Sequence, residues 1–164
     1  MTGAEKRKAV TDRLAALGIF SGPHGNTAEE YVKTDKNSEE SSGIEIKNLF
    51  LKEHNSDNYF LISMRGGKNA DIKSLRKYLG TKPLSFASEE QLKEKLDVTY
   101  DEISPLAVIN DRTNSVSLII DDSLRDGTLM GFYPNESSSM IFLTYDELEK
   151  YAESCGHMLI NMQV

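Results

Sequence analysis

The sequence predicts an α+β fold, a mixed and largely antiparallel sheet surrounded by helices. Apolar residues recur at helical spacing in some stretches and with a period of two in others. Capping and turn residues punctuate the chain at short intervals. Strands and helices follow one another without the strict alternation of a doubly wound sheet, and neither phosphate loop of such a sheet is present. Gly66-Gly67-Lys68 lacks the first glycine and the hydroxyl residue of a P-loop, so it reads as a turn.

The elements follow in order. Residues 4–17 read as a helix, with Val10, Leu14 and Leu17 on one face, ended by Gly18 and the Ser21-Gly22-Pro23 cluster. Thr27 with Glu30 forms a capping box for a short helix through Tyr31 and Val32, and residues 33–42 read as a polar, mobile loop. From Gly43 the period becomes two. Residues 44–52 and 58–64 are expected to pair as strands across the turn His54-Asn55-Ser56-Asp57. Residues 70–79 carry Ile72, Leu75 and Leu79 on one helical face, with Gly80 as the stop. Ser88 caps a second short helix that ends near Leu96. Residues 106–110 and 115–121 are expected to form another hairpin around Asp111-Arg112-Thr113-Asn114, and residues 129–132 and 140–143 two further strands. Thr144 caps a helix through Tyr145, Leu148 and Tyr151 that closes at Gly156, and residues 157–164 read as a last strand. There is no internal repeat.

A chain of 164 residues with 38% hydrophobic and 27% charged residues fits one globular domain spanning 1–164. No apolar run approaches a membrane span, and no apolar signal segment follows the charged start. One cysteine, Cys155, excludes an internal disulfide and a cysteine-based zinc site. A cytoplasmic protein is expected. The net charge of −7 argues against a binder of long nucleic acid, whose affinity rests on many phosphate contacts. It leaves room for an enzyme that grips only the end of an RNA.

Lys47 is the residue that stands out. On a strand, Glu45, Lys47, Leu49 and Leu51 share one face and Ile44, Ile46, Asn48 and Phe50 the other. Both faces are largely apolar, so the strand is expected to be buried on both sides. Lys47 then either pairs with Glu45 or snorkels to an edge, or it serves a pocket by holding a phosphate or polarising an ester carbonyl. The histidines His24, His54 and His157 show no metal-ligand spacing, and His54 and His157 read as solvated and structural. Lys68, Lys73, Arg76, Lys77 and Lys82 form a basic stretch that is either a solvated helix face or a contact to nucleic acid.

Four segments occur in a telling order: Lys47-Asn48-Leu49-Phe50-Leu51-Lys52, residues 84–92, residues 104–111, and Gly131-Phe132-Tyr133-Pro134-Asn135. Together they resemble the YbaK/ProRS-associated editing domains over nearly the whole chain, most closely the freestanding prolyl-tRNA deacylases. The resemblance implies metal-independent hydrolysis of alanine esterified to proline tRNA, with no cofactor. The acceptor end of tRNA would be the partner, a synthetase a further one, and no membrane is involved. It places Lys47 as the catalytic residue that positions the ester. Asn48, Ser104, Asn110 and Asp111 would then be polar walls, Pro105 would also bind substrate, Gly131, Phe132 and Tyr133 would limit side-chain size, and His24 would sit at the pocket mouth. Tyr133 replaces the family's usual histidine, Ser137 to Met140 replace an Asn-Thr-x-Thr motif, and Asp101 replaces a loop glycine that would favour positive φ. These departures keep a second reading open: a binding module of the same fold that recognises an aminoacyl or nucleotide ligand without turnover.

Overall fold

The computed structural model describes residues 2–19 and 44–164. The expected helix at 27–32, the expected loop at 33–42 and His24 lie outside the described residues. The described chain runs α1 (Gly3–Ala16), β1 (Ile44–Glu53), β2 (Tyr59–Arg65), α2 (Ile72–Leu79), β3 (Leu84–Phe86), α3 (Glu89–Leu96), β4 (Val116–Asp121), β5 (Met130–Phe132), β6 (Ile141–Leu143), α4 (Tyr145–Ser154) and β7 (Leu159–Met162). The strands form one sheet in the order β6-β5-β1-β2-β4-β7, with β3 paired to β1 off this path. The fold is α+β. The sheet is more evenly mixed than expected, since β1 meets β2 and β3 antiparallel but β5 parallel, and β2, β4 and β7 run parallel to one another.

Local chemistry explains the helix starts. Thr2, Ser88 and Thr144 each form a capping box with the Glu or Gln three residues on, which satisfies orphan amides of the first turn, and the last two are the predicted caps. Asp71 caps α2 and Gly80 closes it in the left-handed conformation at φ 66°, which glycine adopts without strain.

The sheet has two covered faces. α1, α3, α4 and the 3-10 helix Pro105–Asn110 pack on one face in the larger core, through Leu14, Leu92, Leu106 and Leu148 among others. α2 packs on the other face, where Leu75 meets Leu51, Ile62 and Met64. The Tyr151 hydroxyl, buried, donates to the Leu106 carbonyl at 2.7 Å and ties α4 to the 3-10 helix.

Several expectations are corrected. Residues 105–110 are a 3-10 helix and not a strand, so no hairpin forms with β4, whose neighbours are β2 and β7. The cause is local: the Ser104 side chain accepts from the Leu106 amide, and Pro105 at the first helical position favours a helical turn. β3 is an addition to the expected elements; its three residues are held by edge pairing to β1 and leave no periodicity to read. β1 is not buried on both sides throughout, since only Phe50 and Leu51 are fully buried and Lys47 is half-buried. Asp101 lies in the 3-10 turn Tyr100–Glu102 and is not among the positive-φ residues, so nothing there demands glycine.

Candidate active site

β1 changes partner along one edge. Its first residues pair with β5, Ile44 with Met130 and Glu45 with Gly131, while Leu51 to Glu53 pair with β3. Between them, residues 46–49 have no strand partner on that side among the described residues. Lys47 and Asn48 occupy this gap, backed on the other side by β2, where Lys47 lies opposite Met64 and Asn48 opposite Ser63.

Strand alternation divides the two residues. Asn48 points to the face of the larger core, where its Oδ1 accepts from the Ser63 hydroxyl at 2.7 Å and its Nδ2 donates to the Ile103 carbonyl at 3.3 Å. Next in the chain, the buried Ser104 hydroxyl donates to the Tyr133 carbonyl at 2.8 Å. Asn48, Ser104 and Tyr133 are therefore brought together as struts that brace the gap from behind. Their hydrogen bonds hold β1, the 103–105 segment and the segment after β5 in place.

Lys47 points the other way, to the face of Glu45, Leu49, Leu51 and Met64 that α2 partly covers. Among the described residues no carboxylate pairs with it, Glu45 included, so the pairing expected of a purely structural lysine is not found there. Gly131 lies opposite Glu45 and so shares this face. A Cβ built on Gly131 would stand 2.6 Å from Met140 Sδ and 3.1 Å from Phe142 Cε1. The thioether and the ring thus lie directly over the glycine, an apolar wall on the sheet face that carries Lys47 two residues beyond Glu45. A shallow depression of about 280 Å³ lined by Ile44, Glu45, Arg65 and Gly66 adjoins it at the β5 end.

The remaining predicted residues lie elsewhere. Phe132 is buried in the larger core and packs there, and Pro105 is buried at the start of the 3-10 helix. Asn110 Nδ2 donates to the Leu96 carbonyl at 2.9 Å, anchoring the end of α3. Asp111 is buried and accepts from the amides of Val116 and Ser115, while His157 Nε2 donates to it at 2.8 Å. Burial alone would raise the Asp111 carboxyl, but these hydrogen bonds hold it below its ordinary value. Val116 lies beside Tyr59, and Tyr59 opposite Lys52, so Asp111 sits five strand residues, about 17 Å, from the level of Lys47. Asn110 and Asp111 are thus anchors at the far end of the sheet. Sequence reasoning misses Met140 and Phe142; the alternation of β6 opposite Gly131 is the signal that places Phe142 over the glycine.

The Ser137 to Met140 segment has its own logic. The Glu136 carboxylate accepts from the Ser138 amide at 2.8 Å and from the hydroxyls of Ser138 and Ser139, with Arg7 nearby at 4.0 Å. Burial pushes Glu136 up, but these donors hold it below its usual range. The serines therefore fold the loop that delivers Met140 to the gap.

Fold and site together define an α+β domain in which Lys47, without a carboxylate partner among the described residues, lies on the edge of β1 between the attachments of β5 and β3. The chain belongs to the aminoacyl-tRNA editing domain family, whose model matches residues 22–151. It is 33% identical over 131 residues to the prolyl-tRNA editing protein ProX of Acetoanaerobium sticklandii, covering 80% of this chain and 78% of that protein. It is 30% identical to the prolyl-tRNA synthetase associated domain-containing protein 1 of Bos taurus, over 96% of this chain and 94% of that protein. In fold it is similar to a crystal structure described as a candidate trans-editing enzyme for prolyl-tRNA synthetase. That match has a TM-score of 0.65, covers 97% of each chain, and has 16% sequence identity.

Proposed function

We propose that the protein is a freestanding trans-editing hydrolase that deacylates mischarged aminoacyl-tRNA, with alanine on proline tRNA as the substrate class. The observation that carries this reading is the half-buried Lys47 on the stretch of β1 that lacks a second strand neighbour among the described residues, without a described counter-ion and on the face that carries Gly131, Met140 and Phe142. The prolyl-tRNA editing named for ProX supports the choice of tRNA. A wall of one thioether and one ring suits a small side chain such as alanine.

An aminoacyl ester is already reactive, so the site has mainly to orient it and stabilise charge on the carbonyl oxygen. Water adds to the carbonyl carbon, the bond to the ribose oxygen breaks, and free amino acid and a tRNA with a free hydroxyl result. The Lys47 ammonium is the group that stabilises the oxyanion or fixes the adjoining phosphate. Asn48 and Ser104 act as positioning residues through the struts described above. Neither role requires a metal.

The second reading, a binding module without turnover, draws on the hydroxyls of Ser138 and Ser139 being engaged with Glu136 and so not free to serve a substrate. Incubating sub-stoichiometric protein with a panel of mischarged tRNAs separates the two. Multiple turnovers on alanyl-tRNA(Pro), with slower release of proline from its own tRNA, are expected. Stoichiometric binding with no release of amino acid would replace the hydrolase with the binder.

A further inference from the structure

Phe86 ends β3 with 65% of its surface exposed and packs into neither core. A single exposed apolar side chain is ordinary. The position of this one is not. Phe86 lies opposite Leu51, so it presents its ring on the same sheet face as Lys47, at the same edge of β1 and four strand residues, about 14 Å, further along. Tyr100, 49% exposed, donates its hydroxyl to the carbonyl of Ala87, the next residue in the chain, at 2.7 Å. The chain leading into β3 is basic: residues 68–82 contain Lys68, Lys73, Arg76, Lys77 and Lys82 against Asp71 alone, a local charge of +4 on a chain of −7. Lys68 is committed to Asp121 at 2.7 Å, whereas Lys73, Lys77 and Lys82 are exposed.

An exposed aromatic ring preceded in the chain by exposed lysines offers what single-stranded nucleic acid needs: a face for a base to stack on and cations for the backbone. A protein partner would use the excess positive charge only through an acidic face, whereas an RNA brings a phosphate at every nucleotide. We propose that Phe86 is a stacking platform for an unpaired base of the RNA 3′ end. Lys77 and Lys82 hold the adjoining phosphates while the terminal ester reaches Lys47. The proposal rests on the reading of the site as one for aminoacyl-tRNA and assigns the path by which that substrate enters.

The test is equilibrium binding of unacylated proline tRNA, intact or trimmed of its single-stranded 3′ end, to the wild type, Phe86→Ala and Phe86→Trp. Because the ring lies outside both cores, all three proteins are expected to share one melting midpoint. Phe86→Ala is expected to weaken intact RNA about tenfold and Phe86→Trp to retain affinity, with the trimmed RNA bound alike by all three. Equal affinity of Phe86→Ala and wild type for intact RNA would overturn the platform. So would a loss of equal size on both RNAs, or no measurable affinity of the wild type for either. Because no step of this experiment reads hydrolysis, its outcome is separate from that of the mischarged-tRNA panel.

Discussion

At the scale of single residues, the site is defined by what each side chain is free to do. Asn48 and Ser104 have their hydrogen bonds filled within the protein, and Lys47 does not among the described residues. Ser104→Ala removes both a donor to the Tyr133 carbonyl and an acceptor for the Leu106 amide, so a cost of about 1–3 kcal/mol is expected in urea unfolding. If it is a positioning residue, kcat falls while KM changes little. Gly131→Ala forces Met140 and Phe142 aside and is expected to cost about 1–2 kcal/mol and to slow deacylation, with Met140→Ala restoring part of both. Absence of rescue in the double variant would show that Met140 does not lie over the glycine. Much at this scale is legible in the sequence. Period-two alternation alone sets Lys47 apart from Asn48. It cannot show that Asp111 spends its carboxylate on His157, because their contact spans 46 residues of chain and follows from the parallel pairing of β4 with β7.

At the scale of elements, the helices are readable because their starts are local chemistry. Ser88 with Gln91 and Thr144 with Glu147 declare the first turns of α3 and α4 in the sequence itself. The segment 105–110 misleads because four apolar residues in a row suit a buried strand as well as a short helix; Ser104 and Pro105 are the better guide. The gap in β1 is invisible in the sequence, since it depends on where β5 and β3 attach. α2 is held to the Lys47 face chiefly by Leu75, fully buried, with Ile72 and Leu79 half-buried around it. Leu75→Ala is therefore expected to cost about 2–5 kcal/mol, measured by denaturant unfolding. A cost below about 1 kcal/mol would mean that α2 is not seated on that face.

At the scale of the whole molecule, charge and pH act together. Asp111, Asp121 and Glu136 all have carboxyls held below their ordinary values, by His157, by Lys68 and by the serine donors respectively, against the opposing effect of burial. A carboxyl lowered on folding contributes stability that is present above its unfolded value, about pH 4, and is lost as pH falls through its lowered folded value. Unfolding free energy is thus expected to hold from about pH 7 to about pH 5 and to drop below about pH 4. Asp111→Asn, which removes the charged acceptor of the His157 and Val116 hydrogen bonds, is expected to cost about 1–3 kcal/mol at neutral pH and to flatten part of that acid limb. The net charge of −7 allows only a local grip on RNA, so affinity is expected to fall with salt on a shallow log–log slope of about −2 to −3.

Single-turnover deacylation of alanyl-tRNA(Pro) by Lys47→Ala, beside a wild-type control of matched melting midpoint, bears most directly on the role of the lysine. Loss of the oxyanion or phosphate contact is expected to slow ester cleavage by about 100- to 1000-fold, with the fold intact. Cleavage at near the wild-type rate would contradict the assignment of Lys47.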